Sequence, residues 1–256
     1  MQHAQAAVIL VHGATLNGRS WDPVRRLLDP RLQVVAPDLP GHGARQDQPF
    51  TLQGGVDTVV ECARQLGDAP FILAGDSLGS YTTQAAAAAL PQHRLKGLVL
   101  GGASHEFIGA PVLPYLARSL LFRAVLALRD EPALVRAKMP ATLRACGMND
   151  ADVAATIAAG ISIKVFVPAV RALHGVDFKT MLAAIAQPTL FINGDLDRNH
   201  VRGEARYVAA ARQAKILRFA GCEHGVSLHR SADYAAAVNA FAREVMPATV
   251  VGAAPG

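Results

Sequence analysis

Short, continuously apolar runs recur along the chain at residues 6–12, 33–36, 70–74, 95–101, 188–193 and 214–219, separated by polar and turn-forming segments. Runs this short, apolar throughout and rich in β-branched residues, suit strands covered on both faces, as in a parallel sheet. Between them, apolar positions return with helical spacing near 20–28, 51–67, 78–90, 202–212 and 231–246, with Ser20 and Ser231 as N-cap residues of the first and last helices. The repetition predicts an α/β fold on a doubly wound, mostly parallel sheet. Ligands of such sheets bind at the carboxyl ends of the strands.

The alternation breaks once. About 85 residues separate the run ending near Gly102 from the one beginning at Pro188. Leu113, Leu116, Leu120, Leu121, Val125 and Leu128 follow a helical period there, and further helical patterns cover 132–145, 150–160 and 163–174. A loop of that length without structure of its own would be unusual in a compact domain. We read residues 104–186 as a helical cap inserted into an α/β core made of 1–103 and 187–248, with 249–256 as a flexible tail. A cap over strand ends excludes water from a site beneath it. Leu113, Leu116, Leu120, Leu121 and Phe166 are its expected contributions to an apolar substrate pocket.

Composition narrows the classes. Hydrophobic residues make up 51% of the 256, but no uninterrupted apolar run approaches the ~18 needed for a membrane span, so no membrane partner is expected. The net charge of +5 comes from scattered arginines without a basic block or interleaved aromatics, which argues against a nucleic-acid partner. Arg118, Arg123, Arg129, Arg136, Lys138 and Arg144 do concentrate in one region, and a solvated helix face accounts for them. Cys62, Cys146 and Cys222 are odd in number and widely spaced. They suggest neither a disulfide framework nor a metal site, so a reducing cytoplasm is the expected setting and no cofactor is expected. The oligomeric state stays open, a homodimer included.

The chemistry starts at Gly75-Asp76-Ser77-Leu78-Gly79, which lies between the apolar run at 70–74 and an Ala-rich helical stretch. A serine on a sharp strand-to-helix turn has its hydroxyl pushed out beside a helix N-terminus, and glycines two residues to either side relieve the crowding. Such a serine needs a base. His224 follows the last strand and precedes the C-terminal helix, with His229 as its rival. The base needs an acid, and Asp197 follows the fifth strand in Asn193-Gly194-Asp195-Leu196-Asp197, with Asp195 as the fallback. The N–H groups of Leu78, after the serine, and of Ala14, after His12-Gly13 on the first loop, are suited to hold a developing oxyanion. His12 stands at the edge of the same expected pocket. Asp76, beside the serine, is expected to be a buried, hydrogen-bonded carboxylate; near the base it would raise the base's pKa.

These pieces, together with Asp38-Leu39-Pro40-Gly41-His42-Gly43, resemble the α/β-hydrolase superfamily over nearly the whole chain. His12-Gly13-Ala14 with Trp21, and Ser77-Leu78-Gly79, are similar to the plant methylesterase and hydroxynitrile lyase branch and to bacterial carboxylesterases. The resemblance implies a serine hydrolase of small ester substrates. In it Ser77 is the nucleophile, His224 the base, Asp197 the acid, and Ala14 and Leu78 are the oxyanion donors. Epoxide hydrolases and haloalkane dehalogenases of this fold carry aspartate where Ser77 stands, and hydroxynitrile lyases carry lysine where this chain has Gly225. Thioester, lactone or carbon–carbon hydrolysis on the same residues, and ligand binding without turnover, remain the alternatives.

Overall fold

A computed structural model describes residues 5–247, so the expected tail at 249–256 lies outside the described residues. Six strands form one parallel sheet: β1 (Ala7–Val11), β2 (Gln33–Val35), β3 (Phe71–Asp76), β4 (Leu95–Gly101), β5 (Thr189–Gly194) and β6 (Ala214–Phe219). Their spatial order is β2-β1-β3-β4-β5-β6. The chain therefore runs outward from β1 to β2 and returns past β1 to β3. That reversal opens a crevice between the carboxyl ends of β1 and β3, where doubly wound sheets bind ligands.

Every residue of β1, β3 and β5 is buried, which explains why the strands read as unbroken apolar runs. Alternate side chains serve two cores. Ala7, Ile9, Val11, Phe71 and Leu73 join the layer under α2 (Leu52–Gln65) and α3 (Leu78–Ala87). Val8, Leu10, Ile72 and Ala74 join Trp21, Tyr234 and Phe241 on the opposite face, where α1 (Asp22–Arg25) and α11 (Ser231–Val245) lie.

Between β4 and β5 the chain folds into α4 (Leu113–Leu128), α5 (Glu131–Ala145), α6 (Asp150–Ala158), α7 (Phe166–Leu173) and α8 (Phe178–Ala184). Val135, Leu143, Met148, Val153 and Ile161 form a small core of their own. Two anchors tie α6 to the loop after β1 and to α1. Asn17 Nδ2 donates to the carbonyls of Thr156 and Gly160 at 2.8 Å, and Arg26 donates to both carboxylate oxygens of Asp152 at 2.8 and 2.6 Å.

Local details depart from the sequence pattern. The stretch expected as one helix over 20–28 is a 3₁₀ turn at Gly18–Trp21 followed by the four-residue α1, because Pro23 suits a helix start. Asn17 caps that turn in place of Ser20, whose hydroxyl donates to the Asn17 carbonyl instead. Ser231 begins α11 without a capping bond. The helix expected from 202 starts earlier, as α9 (Arg198–Ala210), and α10 (Val226–His229) precedes α11.

Candidate active site

Four loops at the carboxyl ends of β1, β3, β5 and β6 converge. Ser77 leaves β3 at φ 53° and ψ −117°, a conformation costly for any residue but glycine. Close packing enforces it. A Cβ on Gly79 would lie 1.9 Å from the Val11 carbonyl oxygen, and one on Gly75 would lie 2.5 Å from the Ser80 nitrogen. The turn can therefore cross β1 only with glycine at both positions, and the Ser77 hydroxyl is left half-buried at a cavity wall.

Ala14 and Leu78 border the same cavity. Among the described residues the Ala14 N–H has no acceptor. Leu78 opens α3, so its N–H precedes the helical ladder and sits at the positive end of the helix dipole. Gly13 lies against Ser77, with a built Cβ only 3.4 Å from the Ser77 Cβ, so the first loop and the serine are in contact.

Asp197 and His224 meet across β5 and β6. His224 Nδ1 donates to Asp197 Oδ2 at 2.6 Å. Asp195 faces solvent, and His229 closes α10. The His224 ring and Ser77 both reach the end of β4: Ser77 N donates to the Gly101 carbonyl at 2.8 Å, and a Cβ on Gly102 would sit 2.5 Å from His224 Cε1. Burial raises the Asp197 pKa, but the close His200 imidazole and the hydrogen bond and charge of His224 more than reverse it, leaving Asp197 well below the usual carboxylate range. Burial lowers His224, and the hydrogen bond and charge of Asp197, joined by the charge of Asp76, outweigh it. The net direction is upward, although the side chain keeps 42% of its surface open to solvent.

Asp76 is buried at 5% exposure, accepts the Ser227 hydroxyl on Oδ2, and leaves Oδ1 unpartnered. Burial pushes its carboxyl up. A base acts only when neutral, so activity should fall as pH drops through the His224 pKa, which Asp76 helps raise. Asp76→Asn is expected to move the acid limb of the kcat/KM profile to lower pH. A limb that stays fixed or moves up would show that this charge does not reach His224.

The structure adds a residue that the sequence pattern missed. His200, in the first turn of α9, lines the cavity with Ser77. Its Nδ1 lies 2.8 Å from Asp197 Oδ2 without hydrogen-bond alignment, and its ring stacks on His224 with centroids 4.7 Å apart and planes 22° apart. Burial lowers it to about 4, against the pull of Asp197, so it stays neutral at physiological pH. Asp197, His200 and His224 could together approach a metal ion, yet the same geometry is a carboxylate shared by two imidazoles.

The pocket differs from its expected lining. Phe166 borders it, together with Tyr81, Phe107, Tyr115, Ala169, Val170 and Leu173, around a narrow cavity of about 40 Å³. Leu113, Leu120 and Leu121 do not: they are 60%, 63% and 61% exposed and point away from the core. Leu116 is half-buried and packs on the main apolar cluster. His12 is also no part of the pocket wall. It is fully buried; its Nε2 accepts the Leu39 N–H at 3.1 Å and its Nδ1 donates to the Gly13 carbonyl at 2.8 Å, so both ring nitrogens brace the first loop.

A family profile described as Alpha/beta hydrolase family matches residues 8–238. A pimeloyl-[acyl-carrier protein] methyl ester esterase of Xanthomonas oryzae pv. oryzae is 26% identical, over 93% of this chain and 96% of its own. An (E)-2-((N-methylformamido)methylene)succinate hydrolase of Acinetobacter baylyi is 31% identical over 37% of each chain, so this chain matches only about a third of that relative's length. Among solved structures, a thermophilic esterase from Thermogutta terrifontis superposes with a TM-score of 0.74 at 22% identity, covering 95% of this chain and 91% of the other.

Proposed function

The chain belongs to the alpha/beta hydrolase family, and from that premise we propose that it hydrolyses carboxylic esters through an acyl-enzyme on Ser77. The observation that carries this reading is the Asp197–His224 hydrogen bond at 2.6 Å, held beside the end of β4, to which the strained Ser77 also hydrogen-bonds. His224 takes the Ser77 proton as the hydroxyl oxygen attacks the ester carbonyl. Asp197 accepts Nδ1–H, which keeps the Nε2 lone pair free and stabilises the imidazolium that forms. The N–H groups of Ala14 and Leu78 receive the oxyanion, and a single donor of this kind is worth ~3 kcal/mol of barrier. His224 then returns the proton to the departing alcohol, and water activated by His224 releases the acid.

The helices between β4 and β5 act as a cap in this reading, since Tyr115, Phe166, Ala169, Val170 and Leu173 close the cavity over Ser77. The esterase activity named for the Xanthomonas relative, which aligns over nearly the whole chain, supports an ester rather than a thioester, lactone or carbon–carbon bond. The cavity is apolar and small, so it suits a short acyl or alcohol group. Across p-nitrophenyl acetate, butyrate, octanoate and decanoate, kcat/KM should rise by up to about fourfold per methylene while the group is buried, then fall once the cavity is full. Absence of turnover at every length would contradict the ester reading, and a flat series would remove the cavity as the acyl site.

A further inference from the structure

Helix α4 is apolar on two opposite faces. Tyr115, Leu116, Ser119 and Phe122 turn inward, with the Phe122 ring 4.9 Å from that of Phe166 on α7. The outward face carries Leu113, Leu120, Leu121 and Leu128, with exposures of 60, 63, 61 and 84%, and the exposed Ala117 and Ala124 between them. At this spacing the six form one straight stripe on a helix about 24 Å long. Arg118 and Arg123 border it, each about 110° from its midline at 3.6 residues per turn. Arg118 is steadied over the rings of Phe122 and Phe166, 5.3 Å from each centroid. Arg129 follows the helix end, and residues 107–129 contain no acidic side chain.

A helix this apolar is ordinarily a buried core element, yet only 11% of the stretch Ala110–Leu128 is buried. By length and composition the stretch could cross a bilayer. Its inner face, however, is committed to α7, and two arginines sit along its middle, so the geometry suits lying on a surface rather than spanning one. A second copy packed on the stripe would offer neither arginine an acidic partner, because the helix carries none. An anionic lipid surface meets both features: leucines enter the acyl boundary, and arginines reach the phosphates.

We propose that the outer face of α4 is a docking surface for an anionic membrane. Tyr115, on the inner face, and Phe166 beneath it line the Ser77 cavity, so docking would place the lipid on the far side of the helix that walls the cavity. The surface itself does not depend on the catalytic reading.

The test is cosedimentation of the full chain with vesicles of phosphatidylcholine alone or of equal parts phosphatidylcholine and phosphatidylglycerol. Binding should favour the anionic vesicles and weaken as salt is raised. Leu120→Asp/Leu121→Asp should lose about tenfold or more of that binding while keeping its circular dichroism and its turnover of a soluble short ester. Arg118→Gln/Arg123→Gln should lose the preference for the anionic vesicles. Ser77→Ala should bind as wild type, which separates a failure of this surface from a failure of the hydrolase reading. The proposal is overturned if neither vesicle binds the protein, or if the leucine variant binds undiminished. It is equally overturned if the protein ignores vesicles but forms a dimer that the leucine variant splits, or if it ignores vesicles and binds a purified acidic carrier protein through the same residues.

Discussion

Ser77→Ala is expected to lower kcat for a short activated ester by about 10⁶-fold with the fold intact. The change removes only the hydroxyl oxygen and leaves a side chain small enough for the turn. Ser77 already stands at φ 53°, and alanine at that angle suffers the same backbone strain. The melting temperature should therefore change little. The N–H groups of Ala14 and Leu78, the cavity and the His224–Asp197 pair all survive the change, so the variant should still bind ester and may be compared with wild type at saturating substrate. Residual catalysis over water of about 10³-fold would be what the oxyanion donors and binding supply alone. Turnover within tenfold of wild type would show that another group attacks the carbonyl.

Asp197→Asn should cost about 10⁴-fold in kcat. An asparagine of the same shape can present its amide nitrogen to His224 Nδ1 in place of an acceptor. The imidazole then settles with its proton on Nε2, facing Ser77, and cannot take the serine proton. The same change removes the charge that raises His224, so the surviving activity should have its acid limb at lower pH than wild type. A second consequence belongs to this molecule in particular. Asp197 Oδ2 also lies 2.8 Å from His200 Nδ1, and the two histidine rings stack on each other, so the substitution also disturbs His200, which lines the cavity. KM should rise together with the fall in kcat. A loss confined to KM would assign Asp197 to substrate binding instead.

Much of the fold was legible because its strands are buried on both faces. Ala7–Val11 and Phe71–Asp76 have no exposed position to interrupt the run, and their boundaries follow within two residues. Helix starts were less legible. Asn17 and Ser20 are both good cap residues, and which one caps depends on the long-range bonds that hold Asn17 to Thr156 and Gly160. Helix α8 escaped notice because seven residues with two buried positions, Phe178 and Leu182, are too few to establish a period.

At the site, Ser77, Asp197 and His224 are separated widely in sequence, but each follows a strand, and strand ends are what this topology gathers. His200 gave one overlooked signal: it stands three residues after Asp197 at the start of a helix, a spacing that turns both side chains the same way. The leucines of α4 show where periodicity fails. When a helix is apolar nearly all round, spacing finds the helix but not its inner face. Arg118 and Arg123, about 110° from the outward midline, lie nearer the inner face, so charge did not mark which side meets the solvent.

As the nucleophile, Ser77 becomes covalently substituted during turnover. The most direct measurement is peptide-level mass spectrometry of the protein after treatment with a fluorophosphonate. One phosphonyl adduct is expected on the peptide carrying Ser77, formed at neutral pH and absent from Ser77→Ala. An unlabelled protein, or an adduct on a different residue that persists in Ser77→Ala, would contradict it.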